Sequence, residues 1–222
     1  MTTLPHHSAV TSPTRPRLRG WLHLGAFPAV LLAGLLLVAL GPTLQARLAS
    51  TVYVATSALL FGVSGTYHRQ RASRMIELLR RFDHANIYLI IAGTYTPFVV
   101  LTLNGPTRIW VLALVWTGAA AGVTFRLTWL AAPRWLYVTL YIVMGWIAVF
   151  FLPQFLAGAG IVPCTLVALG GVAYSAGGVV YGLRRPNPSP RWFGFHEIFH
   201  ACTLGAYVLQ YIAVSLVVYR AG

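Results

Sequence analysis

Seven apolar runs, each close to the length that crosses a bilayer, decide what this chain can fold into. They fall at about residues 21–40, 48–68, 84–103, 109–130, 135–152, 161–183 and 196–219. A helix needs about 20 apolar residues to cross ~30 Å of hydrocarbon. The connections between the runs are short, so little chain remains for anything else. The expected fold is all-α: a membrane-embedded bundle of seven transmembrane helices. A chain that is 58% hydrophobic and only 9% charged belongs in this class rather than among soluble domains.

The charges orient the bundle. All 16 basic residues are Arg, and the net charge is +13. They sit in short caps between apolar runs and form no extended patch, so nucleic acid is not an expected partner. Alternating the seven runs across a membrane leaves only Arg47, Arg108 and Arg220 on one side and the other thirteen of the 16 on the opposite side. The positive-inside rule then places the N-terminus in the cytoplasm and the C-terminus outside. A basic stretch before an apolar run also fits a cleaved signal peptide. Cleavage would remove the first run and leave Arg15, Arg17 and Arg19 without a purpose. Residues 1–18 are expected to form a disordered cytoplasmic tail and residues 19–222 the seven-helix domain. Cys164 and Cys202 fall at different expected depths and are read as free thiols. Gly118 with Gly122, and Gly178 with Gly182, mark expected packing seams, and Pro97 an expected kink.

The polar residues converge on the cytoplasmic side. In Phe195-His196-Glu197-Ile198-Phe199-His200, residues four apart share a helix face, so His196 and His200 can grip one metal ion. His68 closes the second run at the same depth and is the natural third ligand. Three histidines leave the fourth zinc position open, as in a catalytic site. Ser64 lies one turn deeper than His68 on the same face, where it can bond a ligand or a water; a bond to its own helix carbonyl is the alternative. Asp83 can cap the third run or pair with Arg80 or Arg81. It can equally take a proton beside the metal, and that reading is preferred. Glu197 points about 100° away from His196 and is expected to face the Arg-rich loops or the rim of the site. His6, His7 and His23 are given no ligand role. H-E-x-x-H also opens zinc proteases, but no Asp, Glu or His follows His200 to complete such a site.

Ser64-x-x-x-His68, Arg81-Phe82-Asp83-His84 running into Ala92-Gly93-Thr94-Tyr95-Thr96-Pro97-Phe98, and His196-Glu197-Ile198-Phe199-His200 together resemble bacterial hemolysin III proteins, a branch of the progestin and adipoQ receptor family. The resemblance implies a multi-pass protein of the bacterial inner membrane, with zinc on His68, His196 and His200 and with Ser64 and Asp83 in the site. Related membrane hydrolases act on ceramide-like amides, and the bacterial members are linked to cytolysis and membrane-lipid homeostasis. Two functions are therefore expected to compete. One is a zinc-dependent hydrolase whose Asp83 takes a proton from water, acting on an amide or ester of a membrane lipid with an acyl chain. The other is a non-catalytic sensor or regulator of membrane lipid state, with a structural zinc. Retinal chemistry is excluded because the chain has no Lys. Ion transport lacks ionisable residues in the outer half of the bundle.

Overall fold

In the computed structural model, residues 16–70 and 75–222 are described. The expected tail over 1–15, with His6, His7 and Arg15, lies outside the described residues, as do Arg71 and Arg74. Among the described residues eight α-helices follow in order: α1 (Trp21–Ala39), α2 (Leu44–Arg69), α3 (Ile76–Thr102), α4 (Gly105–Thr128), α5 (Arg134–Gly145), α6 (Leu152–Ala159), α7 (Ile161–Leu183) and α8 (Phe195–Tyr219). A 3₁₀ segment, Trp146–Phe151, joins α5 to α6, and the three pieces make one span, so seven spans are long and apolar enough to cross a membrane.

α3 and α8 form the middle of the bundle. α3 packs on α2, α4 and α8, while α8 lies between α7 and α1. Large apolar side chains such as Ile109, Trp110, Leu114, Leu169 and Val179 face outward. On a soluble protein they would be a liability, whereas in a bilayer they meet lipid.

Two boundaries differ from the sequence reading. α3 starts at Ile76, not near residue 84. Its first two turns carry Leu78, Leu79 and the Glu77–Arg81 pair, with Arg81 Nη2 donating to Glu77 Oε1 over 2.8 Å. Good helix formers with an i,i+4 ion pair extend the helix past the apolar stretch that hydropathy detects. The fifth span, expected at 135–152, runs from Arg134 to Ala159 and is broken in the middle. Pro153 stands in the first turn of α6 and cannot donate to an earlier turn, so the ladder tightens into 3₁₀ geometry before it. Broken backbone inside a membrane needs other partners. Here Tyr95 supplies them: its hydroxyl donates to Gly145 O over 2.9 Å and accepts from Ala148 N over 2.7 Å. α3 is continuous through Pro97.

Small residues set the close approaches, though not all at the expected positions. A Cβ on Gly122 would lie 2.3 Å from the Tyr88 ring, so α4 can approach α3 only with Gly there. Gly182, by contrast, faces open space. The tight face of α7 against α8 passes through Gly170 and Gly177, where an added Cβ would meet Gln210 and Cys202 within 3 Å. The seam is thus one residue off the Gly178–Gly182 pair. Both cysteines are free thiols.

Candidate metal centre

Three helices deliver the polar cluster to one end of the bundle. α8 begins at Phe195, where Glu197 Oε2 accepts the Gly194 N–H over 2.8 Å and thereby satisfies one open donor of the first turn. One helical turn separates His196 from His200, so both rings leave the same face. The last turn of α2 brings His68 against them. The His68 and His196 Nε2 atoms lie 3.0 Å apart. Ring centroids are 4.6 Å apart for His196 and His200, and 5.0 Å apart for His68 and His200.

One ligand atom from each of the three histidines falls within 4.8 Å of the other two. Three neutral imidazole nitrogens at such separations form a donor set that can hold a metal ion, and the softness of imidazole suits zinc, copper, iron or nickel. His68 and His200 are buried, so an ion on them would be shielded from solvent on two sides. The residue types and spacing fit a three-histidine site.

Asp83 is the carboxylate of the site. Its Oδ2 lies 3.6 Å from His68 Nε2. Because α3 begins at Ile76, Asp83 lies two turns into the helix and cannot be an N-cap. Arg81, which the sequence offered as a partner, is held by Glu77 and by the Leu127 carbonyl. Among the described residues Asp83 therefore neither caps α3 nor pairs with Arg80 or Arg81. Ser64 is buried, with its Oγ 2.9 Å from His23 Nδ1. The alternative bond to its own helix carbonyl is not among the hydrogen bonds of the described residues, although Thr56, Ser57 and Thr66 of the same helix make such bonds. His84 turns away, with its Nδ1 2.7 Å from Arg80 O.

The first helix supplies what sequence reasoning missed. His23 is buried and stacks flat on His200, with ring centroids 3.8 Å apart and 4° between planes. Gly20, at φ 80°, packs so close to α2 that a Cβ would come within 2.5 Å of His68 Cβ. Arg19 forms a salt bridge with Glu197, whose side chain is only 1% exposed. With one oxygen on Arg19 and the other on Gly194 N–H, Glu197 is occupied structurally, unlike the general base of an H-E-x-x-H protease. One signal was present: Arg19-Gly20 followed by His23 at the membrane boundary. Its partners, however, lie on α2 and α8, and nothing in local spacing reveals them.

A cavity of about 290 Å³ leads from this cluster into the bundle. Ser64, Asp83, His196 and His200 line its polar end, and Phe98 and Phe155 lie far along its apolar walls. Asp83 and Phe98 are 15 residues apart on one helix, so the cavity runs roughly 22 Å along α3.

The chain matches the haemolysin-III related family over residues 11–211. It belongs to the haemolysin-III family. Among its curated relatives, Hemolysin-3 of Bacillus cereus is 34% identical over 175 residues, covering 78% of this chain and 76% of the relative. The Hemolysin-3 homolog of Bacillus subtilis strain 168 is 33% identical over 167 residues, covering 74% of each. No solved structure matches. A haemolysin-III protein with seven spans is a multi-pass protein of a bacterial cell membrane.

Proposed function

We propose that this haemolysin-III protein is a zinc-dependent hydrolase of amide or ester bonds in membrane lipids, acting at the cytoplasmic face. One observation carries the reading: the three-histidine cluster with Asp83 stands at the mouth of a long apolar cavity. Zinc bound to His68, His196 and His200 would supply Lewis acidity toward a carbonyl and acidify a water. The remaining chemistry belongs to the chain. Asp83 is placed to accept a proton beside His68. Ser64 offers a hydroxyl at the edge of the cavity, and His23 behind it fixes the Ser64 rotor and the plane of His200. The apolar walls select an acyl chain and keep bulk water from the reacting bond.

The test pairs zinc content with hydrolysis of N-acyl and O-acyl lipids for the wild type and Asp83→Asn. A carboxylate that takes a proton is worth about 10²–10⁴ in rate, so Asp83→Asn should retain zinc and lose turnover by that factor. Equal turnover in both proteins removes Asp83 from the reaction. A wild type that holds zinc but turns over none of a broad lipid panel would instead favour a sensor in which the ion ties α2 to α8.

A further inference from the structure

A second space, of about 480 Å³, adjoins the metal cluster and the apolar cavity. Arg19, Arg80, Arg126, Arg134 and Arg184 line it, and it shares Asp83, His84, Tyr137, Tyr181 and His196 with the apolar cavity. The chain has three acids: Glu77 pairs with Arg81 and Glu197 with Arg19, while Asp83, on the wall of this space, lies against His68 and forms no ion pair with an arginine among the described residues. Among the described residues, four of the five arginines in this vestibule therefore have no carboxylate partner at salt-bridge distance.

Arg126 is the decisive residue. It is 1% exposed, and its Nε has no hydrogen-bond partner among the described residues. Its contacts are the Tyr137 ring, 4.3 Å from Cζ, and a 3.4 Å bond from Nη1 to Trp129 O. A positive-inside bias accounts for exposed arginines at a membrane surface. It gives no reason to bury a guanidinium without a counter-charge, which is costly unless an anion arrives. Arg134 lies along Tyr181, with Cζ 4.8 Å from the ring centre, on the wall common to both spaces.

We infer that the vestibule holds a phosphate-type anion. Several guanidinium forks around one space suit a tetrahedral group with more than one charge better than a single carboxylate. The anion is the head group of a lipid or free phosphate. In the first case the phosphate lies among Arg126, Arg134 and Arg80, the acyl chain enters the apolar cavity, and the scissile bond falls between them beside Asp83 and His196. This deepens the hydrolase reading and rests on it for the placement of that bond, but the anion site itself does not require turnover.

Binding is measured by calorimetry on the purified full chain with three probes: dihexanoyl phosphatidate, dihexanoylglycerol and inorganic phosphate. Phosphatidate should bind at least tenfold more tightly than dihexanoylglycerol, and the preference should fall at least tenfold in Arg126→Gln. Since Arg126 is buried, its variant is first checked for wild-type thermal unfolding. Arg134→Gln alters a partly exposed arm and should weaken phosphatidate severalfold even if Arg126→Gln does not fold. Phosphatidate binding above that of inorganic phosphate identifies a lipid head group; equal binding of the two identifies a free anion as the occupant. Phosphatidate no tighter than dihexanoylglycerol, or phosphatidate affinity unchanged in every folded variant, overturns the inference. Products are analysed separately by mass spectrometry, so selective binding without cleavage would defeat the hydrolase reading and leave the anion site standing.

Discussion

Separating Arg19 from Glu197 should show that the Glu of the H-E-x-x-H sequence serves the fold and not the reaction. Glu197 is 1% exposed, so replacing Arg19 with Met leaves a buried carboxylate with only the Gly194 N–H to hold it. Removing one partner of a buried pair costs about 3–5 kcal/mol. Arg19 is itself 17% exposed, which favours the lower end, about 3 kcal/mol. In Glu197→Gln the amide oxygen can still accept from Gly194, and Arg19 can turn toward water; losing one charged hydrogen bond then costs about 1.5 kcal/mol. The double variant removes both charges at once and should cost well below the roughly 4.5 kcal/mol sum, because neither charge is left stranded. Unfolding by SDS titration in mixed micelles reads all four proteins, and metal analysis accompanies it. Zinc should remain bound throughout, since Glu197 is not among the clustered ligands. Single costs that add to within about 0.5 kcal/mol would mean the two side chains do not interact. A Glu197→Gln protein of normal stability whose lipid hydrolysis falls a hundredfold would make Glu197 a base and refute its structural assignment.

Three further outcomes are expected. His68→Ala, His196→Ala and His200→Ala should each abolish copurifying zinc by elemental analysis, whereas His23→Phe should keep the stoichiometry and weaken the affinity, because His23 backs His200 and Ser64 and is not one of the clustered ligands. Full zinc occupancy in His68→Ala would show that the third ligand lies elsewhere. Gly20→Val should lower both zinc content and thermal stability, since its side chain would collide with His68 Cβ and its φ of 80° disfavours a β-branched residue; a normal zinc content would show that α1 can withdraw without disturbing the site. A reporter fused after Gly222 should be active only outside the cytoplasm, given the arginine distribution, and cytoplasmic activity there would reverse the bundle.

The parts of this fold that depend on chain length and polarity could be read directly. Each span had to be long and apolar, and the histidines four apart on α8 had to share a face. The first two turns of α3 escaped because an amphipathic turn carrying Glu77, Arg80 and Arg81 has the hydropathy of a loop. The break in the fifth span depends on Tyr95 from another helix, which repairs what Pro153 and Gly145 weaken. His23 was legible as a buried histidine at most. Its place on His200 follows from how α1 leans on α2 and α8, a matter of tertiary packing. Asp83 was placed at the site, but only the true start of α3 removes the capping alternative.

The phenol of Tyr95 gives the bundle a mechanical asymmetry. Along most of a transmembrane helix, bending must stretch a whole row of backbone hydrogen bonds. At the middle of the fifth span the row shifts to 3₁₀ bonds, and two further bonds to one hydroxyl brace the halves, each worth about 1 kcal/mol. The span is two α-helical rods joined through a 3₁₀ segment. Gly145, Ala148 and Val149 at that joint also line the apolar cavity, so the wall that Tyr95 braces is one that an occupant of the cavity would touch. Strain from an occupant pressing on that wall would fall on the two Tyr95 bonds before it reached the histidine end.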